Sequence, residues 1–234
     1  MSEQSRSAAA VWSDAEFAQA WLGADPQGPQ DLLELPRHMA ARLVAEETPQ
    51  PGLIVDVASG AGKFLSVLLD AFPDARGVWT DVSDTMLERA RTDLARFGDR
   101  VDFTVGDMTA LRAAGVPEEV DVLVTSRASH HLAGEELRSF YREVGSLLAP
   151  GGWLVNLDHI GPEDEVWDKR YRTVRKKFSA PRAATPSHHH NYPLPSEADH
   201  LDGYRAAGVN DVDVAWKAFY SCLFIGRASR SPQS

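Results

Sequence analysis

The chain has 234 residues, 43% hydrophobic and 25% charged, the make-up of one folded domain with a full core rather than a disordered or fibrous chain. A formal charge of −10 argues against broad affinity for nucleic acid or anionic membranes, and the single cysteine, Cys222, excludes an internal disulfide. No apolar run reaches the roughly 18 residues a membrane span needs, and residues 1–7 are polar without a signal-peptide core, so a cytoplasmic location is the default expectation.

In chain order, the first dozen residues read as frayed. Ser13 with Glu16 three residues on reads as a helix start, Phe17, Ala20 and Trp21 lining one face. A second helix is expected from about Asp31, carrying Leu32, Leu35, Met39, Leu43 and Val44, until Pro49 and Pro51 end it. Two helices before the first strand suggest a lid, here bounded at residues 1–47, ahead of a main domain at 48–234.

Leu53-Ile-Val-Asp56-Val-Ala-Ser-Gly60-Ala-Gly62-Lys-Phe64 reads as a buried strand, a turn of small residues and a helix with Phe64, Val67, Leu68, Ala71 and Phe72 at helical spacing. Missing side chains let backbone N–H groups approach a ligand, so this is a nucleotide-binding opening. A phosphate-cradling P-loop is excluded, because Gly62-Lys63 is followed by Phe64 and the first glycine position holds Val57. The dinucleotide pattern would need glycine at 58, 60 and 63 and finds it only at 60. An acid followed by x-G-x-G-x-G finds Asp56, Ala58, Gly60 and Gly62, with Ala at the first glycine position.

A second strand over 75–80 ends at Asp81, 21 residues beyond Gly60, where a carboxylate at a parallel strand end can accept ribose hydroxyls. Ser83-Asp84 caps a helix with Met86, Leu87, Ala90, Leu94 and Phe97. A third strand over 101–105 leads to Gly106-Asp107-Met108, and a fourth over 120–125 emerges at Ser126-Arg127-Ala-Ser129-His130-His131. A helix over 135–148 and a Pro150-Gly-Gly turn precede strand five at 153–157, which ends at Asp158-His159.

Residues 161–196 interrupt the alternation. An amphipathic helix over 166–178 places Trp167, Tyr171, Val174 and Phe178 on one face, with Lys169, Arg172, Arg175 and Lys176 around the rest. A link rich in proline and histidine contains His188-His-His190-Asn-Tyr192. Three consecutive imidazoles cannot readily converge on one ion, so a solvated loop or a substrate-facing lid segment is preferred to a metal site. A helix from Ser196 to Gly208 precedes two strands, Val212 to Trp216 and Phe219 to Ile225, whose short link (Lys217, Ala218) makes them a hairpin.

The Asp56 turn, the phrase Asp81-Val-Ser-Asp-Thr-Met-Leu-Glu-Arg-Ala, the acid of Gly106-Asp107-Met108 and Leu-Ala-Pro-Gly-Gly, in this order, resemble the motifs of class I S-adenosylmethionine-dependent methyltransferases. The resemblance spans roughly 53–226 apart from the 161–196 insertion. It implies a doubly wound three-layer α/β/α fold with a seven-stranded sheet, order 3-2-1-4-5-7-6 and strand 7 antiparallel, under a helical lid. It implies S-adenosylmethionine as cofactor, bound by Asp56, Ala58, Ser59, Gly60, Gly62, Asp81, Val82, Met86, Asp107, Met108, Ser126, Arg127 and His131. Arg37 on the lid helix is an anchor for the methionyl carboxylate or a surface residue.

Methyl transfer from a sulfonium needs alignment of nucleophile and methyl at about 3 Å, and a base where the acceptor carries a proton whose loss helps. Imidazole suits that task near neutral pH. His159, after strand five, is the first candidate base and His130 the second. Trp167, Tyr171, Arg172, Arg175, His190 and Tyr192 are candidate acceptor contacts in the insertion. The expected partner is a small-molecule acceptor with an O, N or C nucleophile, such as a secondary metabolite, the chain being a monomer or homodimer. The alternatives are a tRNA-modification enzyme (an RNA methyltransferase, or one like carboxy-S-adenosylmethionine synthase), a non-catalytic binder that kept the cofactor pocket, and a nicotinamide enzyme.

Overall fold

Strands β1 (Leu53–Val57), β2 (Arg76–Asp81) and β4 (Val120–Ser126) are short runs of β-branched and apolar residues, buried on both faces. Sheets covered by helices on both sides favour such runs, and their strands pair in parallel. The computed structural model describes residues 7–24, 31–162, 164–178 and 193–229, the side chains of 175–178 excepted. With β3 (Val101–Val105), β5 (Leu148–His159), β6 (Asp211–Ala218) and β7 (Ser221–Arg227), the strands form one sheet in the order 3-2-1-4-5-7-6. β7 runs antiparallel to both β5 and β6. The expected sheet is thus the observed one.

Alternate residues feed two cores. Ile54, Trp79, Val122, Val124, Val155 and Leu157 face Phe64, Leu65 and Leu68 of α4 (Lys63–Ala71) and Ala40, Ala41 and Val44 of α3 (Glu34–Glu47). Val55, Val57, Leu123, Leu154 and Phe224 face Phe140, Tyr141, Val144 and Leu147 of α6 (Gly134–Leu147) and Tyr204 of α8 (Glu197–Ala206). The period-two pleat accounts for the split. The strand order reverses between β1 and β4, and the crevice beyond their carboxyl ends is where an open α/β sheet receives ligands.

Several local readings change. Residues 8–12 are not frayed but form α1 (Ala8–Trp12), and Ser13 closes that helix, its Oγ donating to the Ala9 carbonyl at 2.8 Å. The following helix, α2 (Ala15–Ala24), takes its first cap from Asp14, whose Oδ1 accepts the Phe17 amide at 3.0 Å. α3 starts at Glu34 rather than Asp31, because Asp31 forms a turn by accepting the Leu33 amide at 3.0 Å. α3 contributes to the first core, as does Ala18 of α2, and α2 also lies against α5 (Asp84–Asp93). β5 begins at Leu148 and includes the Pro-Gly-Gly segment. Lys217 and Ala218 lie inside β6, and the hairpin turn is Phe219-Tyr220. Cys222 is buried, as expected, and burial pushes its thiol up to about 12.

Candidate active site

The turn after β1 is built from left-handed backbone. Ala58 (φ 52°), Gly60 (φ 55°) and Gly62 (φ 80°) all occupy the region that penalises a Cβ. At Gly62, which opens α4, a Cβ would also stand 2.7 Å from Leu94 Cδ1, so glycine is required twice over. Long-range bonds hold the turn. The Ser59 amide donates to the Thr80 carbonyl (2.9 Å), Trp79 Nε1 to the Gly60 carbonyl (2.8 Å), and the Gly60 amide to Asp81 Oδ2 (2.9 Å). The acid at the end of β2 therefore fixes the turn it shares a ligand site with.

A cavity of about 1010 Å³ opens over this turn. Ala58, Ser59, Gly60, Asp81, Val82, Met86, Asp107, Met108, Ser126, Arg127, His131, Arg37 and Asp56 all line it, so thirteen of the fourteen expected cofactor residues meet there. Gly62 stands behind them as the α4 cap. Asp107 Oδ1 is held by the Thr109 amide and hydroxyl, both at 2.8 Å. Asp81 Oδ1 accepts the Ser83 amide at 3.0 Å, and burial raises its carboxyl above the usual range.

Three buried side-chain atoms of residues lining this cavity have no hydrogen-bond partner among the described residues: Asp56 Oδ1, Arg37 Nε and Ser126 Oγ. Asp56 Oδ2 is occupied, accepting from Ser59 Oγ (2.6 Å) and the Leu65 amide (3.1 Å). Burial lifts this carboxyl to about 7 against those bonds and the Arg37 charge. Arg37 is buried rather than superficial, and its NH1 pairs with Asp31 Oδ2 at 2.7 Å. Burial lifts the Asp31 carboxyl, and Arg37, with help from Lys63 at 3.6 Å, more than reverses this. One orphan acceptor and one orphan donor fit the ammonium and carboxylate of an amino-acid zwitterion, the methionyl end of S-adenosylmethionine. The acids at 81 and 107 fit its adenosine.

The histidines divide. His131 lines the cavity, its Nε2 accepting from Trp12 Nε1 at 3.4 Å. The two candidate bases, His130 and His159, do not line it. His130 is buried, with Nδ1 2.5 Å from Asp158 Oδ1, and His159 turns toward the β7 edge, Nδ1 lying 3.4 Å from Ser221 Oγ. The His130 ring is held by Asp158, a buried carboxylate that also accepts Ser129 Oγ (2.6 Å) and the backbone amides of His130 (3.0 Å) and His159 (2.7 Å). Burial alone would raise it, but the His130 charge and hydrogen bond hold it well below the carboxylate range. Asn156 Nδ2 extends the network to Ser129 Oγ and Tyr141 OH, both at 2.9 Å, and Tyr141 OH reaches His200 Nδ1 at 2.8 Å. Burial lowers His200 to about 4, so it is neutral.

The described residues of the insertion do not line the cavity either. α7 (Glu165–Phe178) is gripped by the β6–β7 turn: Tyr171 packs edge-on to Phe219 and Tyr220 at 5.5 and 5.7 Å, and Tyr220 OH donates to Asp168 Oδ1 at 2.8 Å. Trp167 packs on Tyr171, and Arg172 pairs with Asp168. Arg175 lies on α7 with its side chain outside the described residues, as are His190, Tyr192 and the rest of the histidine run. The wall facing the glycine turn comes from the chain start instead: Trp12, Phe17 and Trp21, with Trp12 edge-on to Phe17 (5.1 Å) and to Trp21 (5.2 Å). Sequence reading placed Phe17 and Trp21 on one helix face but missed Trp12, whose five-residue helix, capped by Ser7, is too short to show a period. Among the described residues, no cluster of three or more His, Cys, Asp or Glu could hold a metal, and no helix is long and apolar enough to cross a membrane.

Comparison with known proteins agrees with this geometry. Residues 54–152 match a family model described as a methyltransferase domain. Over 109 residues the chain is 36% identical to a 3-amino-4-hydroxybenzoate 4-O-methyltransferase of Streptomyces cremeus, an alignment covering 46% of this chain and 29% of that protein. The chain thus spans less than a third of this curated relative. An O-methyltransferase family protein of Burkholderia thailandensis superposes with a TM-score of 0.65 at 22% identity, covering 85% of this chain and 57% of that one. The magnesium protoporphyrin IX methyltransferase of Synechocystis PCC 6803, solved with S-adenosylhomocysteine bound, superposes with a TM-score of 0.63 at 17% identity, covering 94% and 97%. Motif order, sheet order and the matched segment agree: residues 54–152 match a methyltransferase domain, and the sheet they belong to has the strand order that the motif resemblance implies.

Proposed function

We propose that the protein transfers a methyl group from S-adenosylmethionine to a small-molecule acceptor. The observation that carries this reading is the pair of orphan atoms, Asp56 Oδ1 and Arg37 Nε, on the cavity that also presents Asp81 and Asp107. When bound, the cofactor supplies a methyl group already activated by its sulfonium. The chain's own residues have three tasks. Asp56 and Arg37 take the amino-acid end, Asp81 accepts ribose hydroxyls, and Asp107 and Met108 take the adenine. The turn amides approach closely because residues 58–62 carry almost no side-chain bulk. α1 and α2 cover the cavity as a lid and exclude water, so the nucleophile is held in line with little competition from solvent.

The acidic chain favours a small acceptor over a polynucleotide, and the similarity to a small-molecule O-methyltransferase supports the same class. A cytoplasmic, cofactor-dependent transferase remains the working description. Calorimetry with S-adenosylhomocysteine tests it: saturable one-site binding, with NAD giving none, is expected. No saturable heat with the sulfur cofactor, or binding of NAD in its place, overturns it.

A further inference from the structure

The corner where α7 meets the β6–β7 turn combines two features that the cavity does not use. The first is apolar exposure. Val166 is 54% exposed, Trp167 48% and Phe219 40%, and the Trp167 and Phe219 rings both pack on Tyr171, at 5.6 and 5.5 Å. Phe219 is held at φ 54°, a left-handed turn position that glycine or asparagine fills without strain. A bulky exposed ring kept there against backbone strain points to a function for that ring. The second feature is charge. From Lys169 to Lys177 six of nine residues are cationic and none is acidic, in a chain whose formal charge is −10. Lys169, Arg170 and Arg172 are exposed, and the Arg170 guanidinium lies 4.6 Å from the Trp167 ring centroid. Asp168, the acid beside this run, is engaged by Arg172 and by Tyr220 OH.

Strand register places this corner. Ser221 pairs with Ala218 of β6 and with His159 of β5, while β5 runs parallel to β4 and β4 to β1. The corner therefore lies at the carboxyl end of the sheet, the end on which the cavity opens. Cations beside exposed aromatic and aliphatic side chains suit the boundary layer of an anionic bilayer: the cations meet lipid phosphates and the apolar groups enter between headgroups and acyl chains. Val166, Trp167 and Phe219 stand on a helix ridge and a hairpin tip rather than around a hollow, which suits a soft medium better than a shaped protein surface. Base stacking on a polynucleotide would use the rings but not the valine. The acidity of the rest of the chain is screened beyond about 8 Å at physiological salt, so the local run decides. We propose that α7 and the Phe219-Tyr220 turn form a peripheral docking surface for anionic lipid bilayers, bringing the carboxyl end of the sheet to the membrane. Docking is independent of what the cavity holds.

Flotation of the full chain with large unilamellar vesicles tests this. The wild type is expected to float with phosphatidylcholine vesicles containing phosphatidylglycerol at about 0.1 M salt, and to stay behind with phosphatidylcholine alone or at about 1 M salt, where screening sets in within about 3 Å. The double variant Lys169→Gln, Arg170→Gln should lower the partition coefficient about 25-fold, each cation near an anionic surface contributing about a factor of five. Brominated acyl chains should quench part of the tryptophan emission of the bound wild type, and Trp167→Phe should still float while that quenching disappears. Phe219→Asn, which suits the left-handed turn, should weaken binding about fivefold with an unchanged circular dichroism spectrum. No recovery on the mixed vesicles, equal recovery on phosphatidylcholine alone, full recovery of the double variant, or unaltered quenching in Trp167→Phe each overturn the inference. Tighter binding to poly(U) or to polyglutamate than to the mixed vesicles also overturns it and reassigns the ridge to nucleic acid or to an acidic protein. All these substitutions lie off the cavity, so calorimetry with S-adenosylhomocysteine should read the same in every variant, and failure of the wild type to bind it overturns the cofactor reading alone.

Discussion

The Gly60 amide donates to Asp81 Oδ2 at 2.9 Å across 21 residues of chain, so one carboxylate both anchors the turn and faces the cavity. Asp81→Asn keeps the shape but removes the charge and half of the acceptors. Hydrogen bonds to a charged group contribute roughly 1.5–3 kcal/mol, so S-adenosylhomocysteine affinity is expected to fall about 10- to 100-fold, with a lower melting temperature from the loosened turn. Calorimetry and thermal melts on one preparation check both. Unchanged affinity would remove Asp81 from the ribose.

Asp56 makes cofactor affinity depend on pH. Burial holds its carboxyl at about 7 in the ligand-free protein, and an ammonium group beside Oδ1 requires the ionised form. Above 7 the carboxylate is ready. Below 7 each pH unit leaves about tenfold less of it, so affinity should weaken by roughly that factor per unit. Titrations with S-adenosylhomocysteine from pH 5.5 to 8.5 should show this slope in the wild type. Asp56→Asn should bind more weakly at pH 8 and show a flat profile.

His200 acts on stability in the acid range. Its folded pKa is depressed to about 4 from 6.5, burial being the main cause. The unfolded chain therefore binds the extra proton between those values, and stability falls as pH drops from 6.5 toward 4, by about 3 kcal/mol at one pKa unit per 1.4 kcal/mol. Asp56, raised rather than lowered, acts in the opposite sense over much of this window, so the difference between wild type and His200→Gln isolates the histidine. Urea melts at pH 7 and pH 4.5 should show the wild type losing more stability than the variant. Equal losses would refute the assignment.

Two positions of one turn should respond oppositely to swaps between alanine and glycine. Ala58 sits at φ 52° with a Cβ that the left-handed region penalises, so Ala58→Gly is expected to stabilise by about 0.5 kcal/mol or more. Gly62→Ala adds a Cβ at φ 80° and 2.7 Å from Leu94 Cδ1, and should cost about 1–3 kcal/mol. Chemical denaturation of both variants measures the pair.

The strand order and the meeting of the expected residues on one cavity were legible because each depends on local signals: buried apolar runs, small residues after Asp56, acids at the ends of strands two and three. The acceptor half depends on contacts between distant segments. His130 and His159 look equally available in sequence, yet Asp158 holds the His130 ring in a buried network and the His159 ring lies beside Ser221, so among the described residues His131 is the histidine on the wall. Trp167 and Tyr171 form the expected apolar face, but the Phe219-Tyr220 turn claims it before the cavity can. Residues 8–12 carry no period long enough to read, and the contacts of Trp12 with Phe17, Trp21 and His131 order them.

The bond from Trp12 to His131 joins positions 119 residues apart, and it is the chain's opening segment that completes the room above the sheet. On the proposed function, recognition of the guest and retention of the cofactor fall to different stretches of sequence. Exchange of residues 7–24 alone would change which molecules are accepted while the adenosine berth is inherited intact.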